Sequence, residues 1–223
     1  HGLDNLPEWL RIVEISHINN VEAYSHFLLK EMGHWLHTSH LLIVQWDGFV
    51  LDASMWDNDF LKVDYIGAVW PQFHDTHRVG NGGFSLRSRK LLDALAQADV
   101  TPHHPEDLCI CRTHRTVLEA RWHMIFADEA LAHRFAFERE RGAERSFGFH
   151  GLSNMAIVLD EPALTRLIDH APPSIFGSVE ARGFVKHLLK RGLKTLARKT
   201  LLKRRSQRPF DWGEARLWIR LLL

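Results

Sequence analysis

Long apolar runs and a cysteine framework are both missing from this chain of 223 residues. No stretch of 18 or more apolar residues occurs, so no membrane-spanning helix is predicted. The opening, HGLDNLPEWL, has neither a basic start nor an apolar core and does not read as a signal peptide. It also lacks an initiator Met, and a trimmed beginning is expected. The only cysteines, Cys109 and Cys111, lie two residues apart, too close for an ordinary disulfide framework. Their spacing fits small core residues on a helix. A reducing, cytoplasmic setting is the expectation, with peripheral attachment to the inner face of the membrane.

What is present is globular. Hydrophobic residues make up 45% and charged residues 25%, the balance of an ordinary soluble domain. The length suffices for one continuous core. A net charge of +1 conceals an uneven distribution. Residues 1–180 hold 15 Lys/Arg against 25 Asp/Glu, a net of −10; residues 181–223 hold 13 against 2, a net of +11. Two parts with different partners are expected: 1–160 as the main domain, and 161–223 as a basic helical extension. No internal repeat is visible.

Periodicity orders the first part. Leu10 to Ser16 alternates apolar and polar residues, the pattern of a half-buried strand. Asn20 can cap a helix carrying Val21, Tyr24, Phe27, Leu28, Met32 and Trp35 at helical spacing. LLIVQ, Leu41 to Gln45, reads as a buried parallel strand that stops at Trp46-Asp47-Gly48. Ligands bind at such carboxyl ends in open α/β sheets. Phe60 to Trp70 reads as a further strand or two. Gly80-Asn81-Gly82-Gly83 turns the chain toward a helix over 88–98, and Pro105-Glu106-Asp107 opens another, its acids favouring an amino-terminal turn. His34, His37 and His40 spread around a helix and lack a Glu-x-x-His partner, which argues against a metal site there. Trp46, Trp56 and Trp70 suit either the core or stacking on a sugar or base.

Five islands carry a resemblance: LLIVQWDGFVLD, DYIGAVWP, VGNGGFSLRSRKLL, HPED and FGFHG. In this order, from about Tyr24 to Gly151, they resemble a family of bacterial GT-A-like glycosyltransferase domains, and more distantly inverting galactosyltransferases of that fold. The resemblance implies an α/β fold of GT-A type, a Rossmann-like mixed sheet flanked by helices. Its first strand and helix would be missing, because only one strand and one helix precede Leu41. It implies transfer of a sugar from a nucleotide-sugar donor to a hydroxyl of a glycan or lipid-linked acceptor, assisted by a divalent cation, Mn²⁺ or Mg²⁺, that offsets charge on the departing pyrophosphate.

Site residues follow from the same likeness. Asp47 stands where the family's Asp-x-Asp motif has its final, metal-binding acid, and Gln45 replaces the first acid. Late in the domain His150 fits a second metal ligand, and a mixed O/N set favours Mn²⁺. Gln45, Trp46, Asn81, Gly82 and Gly83 are the substrate-binding candidates. Glycine permits close approach and positive φ there, although a tight turn alone would also use it. Asp107 is the candidate base and Glu106 an acceptor-binding acid; helix capping is their competing role.

Gln45 and the short start also allow a noncatalytic carbohydrate- or nucleotide-binding domain. A metal-dependent hydrolase using Asp47 and His150 is disfavoured by the sparse His/Asp clustering. From Arg182 to Arg205 the chain carries ten cations on one face, leucines on another and no acid. This predicts a basic amphipathic helix resting on an anionic membrane surface, or packed on the acidic body. Nucleic acid is not an expected partner, because no aromatic-basic reading surface accompanies the charge.

Overall fold

The structure is a computed structural model that describes residues 6–97, 99–139, 142, 145–209 and 211–222. Its first departure from expectation is at the start. Residues 10–19 form no strand, and Leu10, Ile12, Val13 and Ile15 are exposed. Alternation marks a surface that could pair, but a strand also needs a ladder partner, and none faces this segment among the described residues. Helix α1, Val21–His26, then begins as predicted: Asn20 Oδ1 accepts the Ala23 N–H at 2.7 Å. It runs on as a wider π-turn, Phe27–Glu31, and a tighter 3₁₀ turn, Met32–Trp35. This bent helix buries Phe27, Leu28 and Leu29.

Strand β1, His40–Val44, is neither parallel nor fully buried. It pairs antiparallel with β4, Phe84–Ser88, in the register Ile43↔Ser85, and buries only Ile43. After β2, Phe49–Val50, comes a loop with two 3₁₀ turns, Ala53–Met55 and Asn58–Lys62. Of the stretch Phe60 to Trp70 only β3, Tyr65–Ile66, pairs in a sheet, also against β4. The Gly-rich island is therefore more than a turn: its second half is the central strand of the order β1-β4-β3. All five residues of β4 are buried. Their alternation sends Phe84 and Leu86 into an apolar cluster with Phe60, Ile66 and Phe135, and leaves Ser85 and Arg87 for the other face.

Helix α2, Arg89–Gln97, follows at once, begun by Ser88 Oγ accepting the Leu91 N–H at 3.0 Å. Leu91, Leu92, Ala94 and Leu95 form its buried stripe. A short α3, Glu106–Leu108, widens into a π-turn, Cys109–Thr113, and α4 spans Arg115–Trp122. Helix α5, Glu129–Phe135, leads into β5, Ala136–Phe137. A second small sheet orders β2, β6 (Gly148–Phe149) and β5, with β5–β6 its parallel pair. The architecture is mixed α/β, with two three-stranded sheets among helices.

The remaining helices are α6 Leu152–Val158, α7 Glu161–His170, α8 Pro173–Phe176, α9 Glu180–Lys190, α10 Lys194–Arg205 and α11 Trp212–Leu222. Phe137 and Phe149 share one core with Leu152, Leu164, Phe184, Leu188, Leu201 and Leu217. A boundary at residue 160 thus falls within a single apolar cluster. The basic segment is also two helices rather than one, separated at Gly192, whose φ of 74° is a left-handed turn that glycine adopts without strain. Most of its leucine face packs on this core, Leu202 excepted. Many of its cations meet the chain itself: Arg191 donates to Ala156 O and Leu159 O, Lys199 pairs with Asp169, and Arg204 is fully buried. Of the two arrangements expected for residues 182–205, the apolar face takes the packed one. No helix among the described residues is long and apolar enough to cross a membrane.

Candidate functional site

The turn after β1 and the end of β6 meet. Gly48 makes this possible: a Cβ there would sit 2.6 Å from Phe149 O. Beside them His150 lies between two carboxylates, its Nε2 3.1 Å from Asp47 Oδ1 and its Nδ1 3.4 Å from Glu138 Oε1. Nε2 is also 3.2 Å from Gln45 Oε1. Gln45 Nε2 donates to Tyr24 Oη at 2.9 Å, which fixes the amide so that its oxygen faces the ring. The proton on Nε2 therefore faces two oxygens, from Asp47 and Gln45. Burial pulls the imidazole pKa down, but the two carboxylates prevail and raise it to about 10. Asp47 serves the fold as well, since its Oδ2 accepts the Leu152 N–H at 3.1 Å, at the start of α6.

On the other side of the ring is the Gly-rich turn. Asn81 Nδ2 lies 3.2 Å from His150 Nδ1. Asn81 has a φ of 65°, a left-handed conformation that asparagine tolerates better than most residues. Tyr65 Oη holds the turn by donating to Asn81 O at 3.1 Å. Gly82 and Gly83 are explained by neighbours inside the protein: a Cβ on Gly82 would overlap the Glu106 carboxylate, and one on Gly83 would overlap the His150 ring. Both glycines admit these side chains close to the backbone, so the space beside each is filled from within the protein.

Glu106 and Asp107 differ sharply. Glu106 is buried and forms a 3.0 Å ion pair with Arg87, the side chains exposed by 5% and 0%. The pair is sealed, so the acceptor-binding role expected of Glu106 is corrected to a structural one. Asp107 is half-buried; its Oδ2 accepts the Gly82 N–H at 3.0 Å and its Oδ1 the Leu108 N–H at 2.8 Å. Burial, then the charge of Glu106, raises its pKa above the ordinary aspartate value. A carboxylate so tuned is a better proton acceptor than a free one.

An open cleft of about 530 Å³ runs past Gln45, Trp46, Asp47 and His150 to Ser174, Ser178 and Glu180. Trp46 stands at its edge, 55% exposed, whereas Trp70 is core and Trp56 packs edge-on against Phe60 and Phe147. Every site residue predicted from the sequence except Trp46 thus enters one linked network, in which Gly82 bridges Asp107 to the turn that holds His150. Sequence reasoning missed Glu138, Glu180, Tyr24 and Arg87. Loss of solvent, then Glu138 and Asp47, raises the carboxyl pKa of Glu180. Arg87 alone left a signal, the one charge on strand β4. His34 and His37 are exposed, and His40 reaches Val63 O.

Neither the curated proteins nor the solved structures contain a match to this chain. Residues 10–150, well over half of the sequence and including both sheets, Asp47, Asp107 and His150, match the family described as "Protein of unknown function (DUF5672)", and the chain belongs to that family.

Proposed function

We propose that the chain is a GT-A-like glycosyltransferase that moves a sugar from a nucleotide-sugar donor to a hydroxyl of a glycan or lipid-linked acceptor. The observation that carries this is the meeting of Asp47, Gln45 and His150 at one edge of a cleft, joined through Asn81-Gly82 to Asp107. Asp47 Oδ1, Gln45 Oε1 and His150 Nε2 surround one proton, and a divalent cation fits the same donor set in its place. Mn²⁺ suits the mixture of oxygen and imidazole ligands, with Mg²⁺ the alternative. Glu138, on the far ring nitrogen, would orient the imidazole as carboxylates do behind metal-bound histidines.

With the cation bound, its charge would stabilise the departing nucleotide diphosphate. Asp107 would take the acceptor proton, Trp46 would offer a face for a base or sugar, and Glu106 would hold the base segment through Arg87. Contact with an anionic membrane belongs to the same proposal, moved from the leucine face to the exposed cations of α9 and α11. The test is a panel of nucleotide sugars with UDP or GDP release followed with and without Mn²⁺. Metal-dependent release that Asp47→Asn abolishes supports the reading; no release from any donor overturns it.

A specific observation favours a second reading, a noncatalytic binding domain. Asp47, Glu138 and His150 already satisfy one another as a charged triad, and Arg87 neutralises Glu106. Donor binding without turnover, unaffected by Mn²⁺, is its outcome in the same panel.

A further inference from the structure

The segment that carries Glu106 and Asp107 is bracketed by a second group of ligating side chains. One ligand atom each from His103, Cys109 and His114 lies within 4.8 Å of the others. The local helix geometry explains the convergence. In an α-helix with 3.6 residues per turn, positions five apart diverge. The π-turn Cys109–Thr113 instead closes with the His114 N–H donating to Cys109 O at 3.0 Å, and an i→i+5 turn stacks residue 114 over residue 109.

His103 enters from the preceding loop and is held over the same turn, its Nε2 2.9 Å from Thr113 Oγ1. The His103 and His114 ring centroids are 6.3 Å apart. Cys109 Sγ, at 3.7 Å, and His114 Nε2, at 3.3 Å, both approach Thr101 O, so the two groups share one focus. Cys109 is buried, whereas both histidines are partly open to solvent, which leaves an approach for an ion.

We propose that His103, Cys109 and His114 bind a transition-metal ion, Zn²⁺ by their chemistry. Two imidazoles and a thiolate form a borderline-soft set that suits Zn²⁺ and disfavours Mg²⁺ or Ca²⁺. Bond lengths of about 2.0–2.1 Å to N and about 2.3 Å to S place tetrahedral ligand atoms roughly 3.3–3.6 Å apart. Small side-chain rotations bring the three atoms into that range and leave the fourth position to water. As the Zn–S bond forms, the Cys109 thiol gives its proton to solvent. The ion then ties residue 103 to residues 109 and 114 and clasps the loop that presents Asp107 to Gly82. This site is separate from the Asp47–His150 group and independent of the transferase reading.

Titration of the chelator-treated full chain with Co²⁺ tests the proposal. The expected result is a thiolate-to-cobalt charge-transfer band in the near ultraviolet, with the visible bands of tetrahedral cobalt. One equivalent saturates it and Zn²⁺ displaces it. The Asp47–His150 group has no sulfur and contributes nothing to that band. Cys109→Ser abolishes it, Cys111→Ser retains it, and His114→Asn weakens affinity about tenfold or more. Should Cys109→Ser fail to fold by circular dichroism, His114→Asn, at a half-exposed position, carries the test alone. Absence of the band at stoichiometric Co²⁺, its survival in Cys109→Ser, or unchanged affinity in His114→Asn overturns the proposal.

Discussion

The imidazole of His150 lies against the backbone of Gly83 so closely that no β-carbon fits between them. This contact couples the Gly-rich turn to the charged triad, and each must hold its place for the other to form. Gly83→Ala is expected to act as an overpacking substitution, costing about 1–3 kcal/mol, and to push the ring off Asp47. Gly33→Ala is the control, because the nearest atom to its new Cβ, on Leu92, would be 3.5 Å away, an ordinary contact. Chemical denaturation should lower the midpoint for Gly83→Ala and leave Gly33→Ala near wild type. Equal midpoints would mean that the turn yields freely.

His150 also makes a pH prediction for the metal-free protein. Its pKa is raised to about 10 in the fold by Asp47 and Glu138, against the pull of burial, while an unfolded histidine titrates near 6.5. The folded state therefore binds the proton more tightly. The stabilisation is complete below pH of about 6.5 and disappears as pH rises through about 10. Stability of the chelated protein should fall over that interval, and His150→Gln should flatten the fall. A ring resonance titrating near 6.5 by NMR would contradict this account.

Glu106 and Asp107 are adjacent, yet their substitutions should separate. Glu106→Gln leaves the Arg87 guanidinium buried without its counter-charge, a defect worth about 3–5 kcal/mol, and should appear as loss of folded protein. Asp107→Asn keeps the shape and an acceptor for the Gly82 N–H. Under the transferase reading it should lower turnover by about 10²–10⁴-fold, with donor affinity little changed. Thermal melts and donor titrations on both variants make the comparison. A stable Glu106→Gln, or a fully active Asp107→Asn, would reverse the assignment.

Much of this site was legible because its residues sit where regular patterns stop. Asp47 follows an apolar strand, Asn81-Gly82-Gly83 forms the turn just before β4, and His150 ends an aromatic run. Helix α2 was equally plain from its leucine spacing. The sheet was harder. Strand β4 keeps its alternation, but it reads as the tail of a turn because it follows Asn81-Gly82-Gly83 directly and carries Arg87, whose reason is a buried ion pair with a residue 19 positions later. Leu10 to Ser16 failed in the opposite way: its alternation is real, but no strand edge among the described residues meets it. Glu138 and Glu180 gave no local signal at all. They join the site only because β5 and α9 are folded against β6 and α6.

The C-terminal helices supply the last prediction. Arg204 is one of the ten cations of the basic segment, but its side chain is wholly buried, as is that of Glu214 on α11. The two lie 3.8 Å apart, and Arg204 also donates to Phe176 O and Ser178 O. Its Nε and Nη2 find no hydrogen-bond acceptor among the described residues, so Glu214 is the charge that offsets it. Glu214→Ala should leave a buried cation unpaired, at a cost of about 3–5 kcal/mol, and lower the melting temperature of the whole chain. The proposed membrane contact rests on different residues. Lys186, Lys190, Arg216 and Arg220 line an open groove of about 650 Å³ between α9 and α11, beside Trp212, which is 87% exposed. Each cation near an anionic leaflet is worth about 1 kcal/mol. A chain with Lys186→Glu, Lys190→Glu, Arg216→Glu and Arg220→Glu should therefore keep its fold but lose sedimentation with anionic vesicles, and salt should release the wild type. If the charge-reversed chain still sediments, or the wild type ignores anionic vesicles at low salt, the helices serve the core alone.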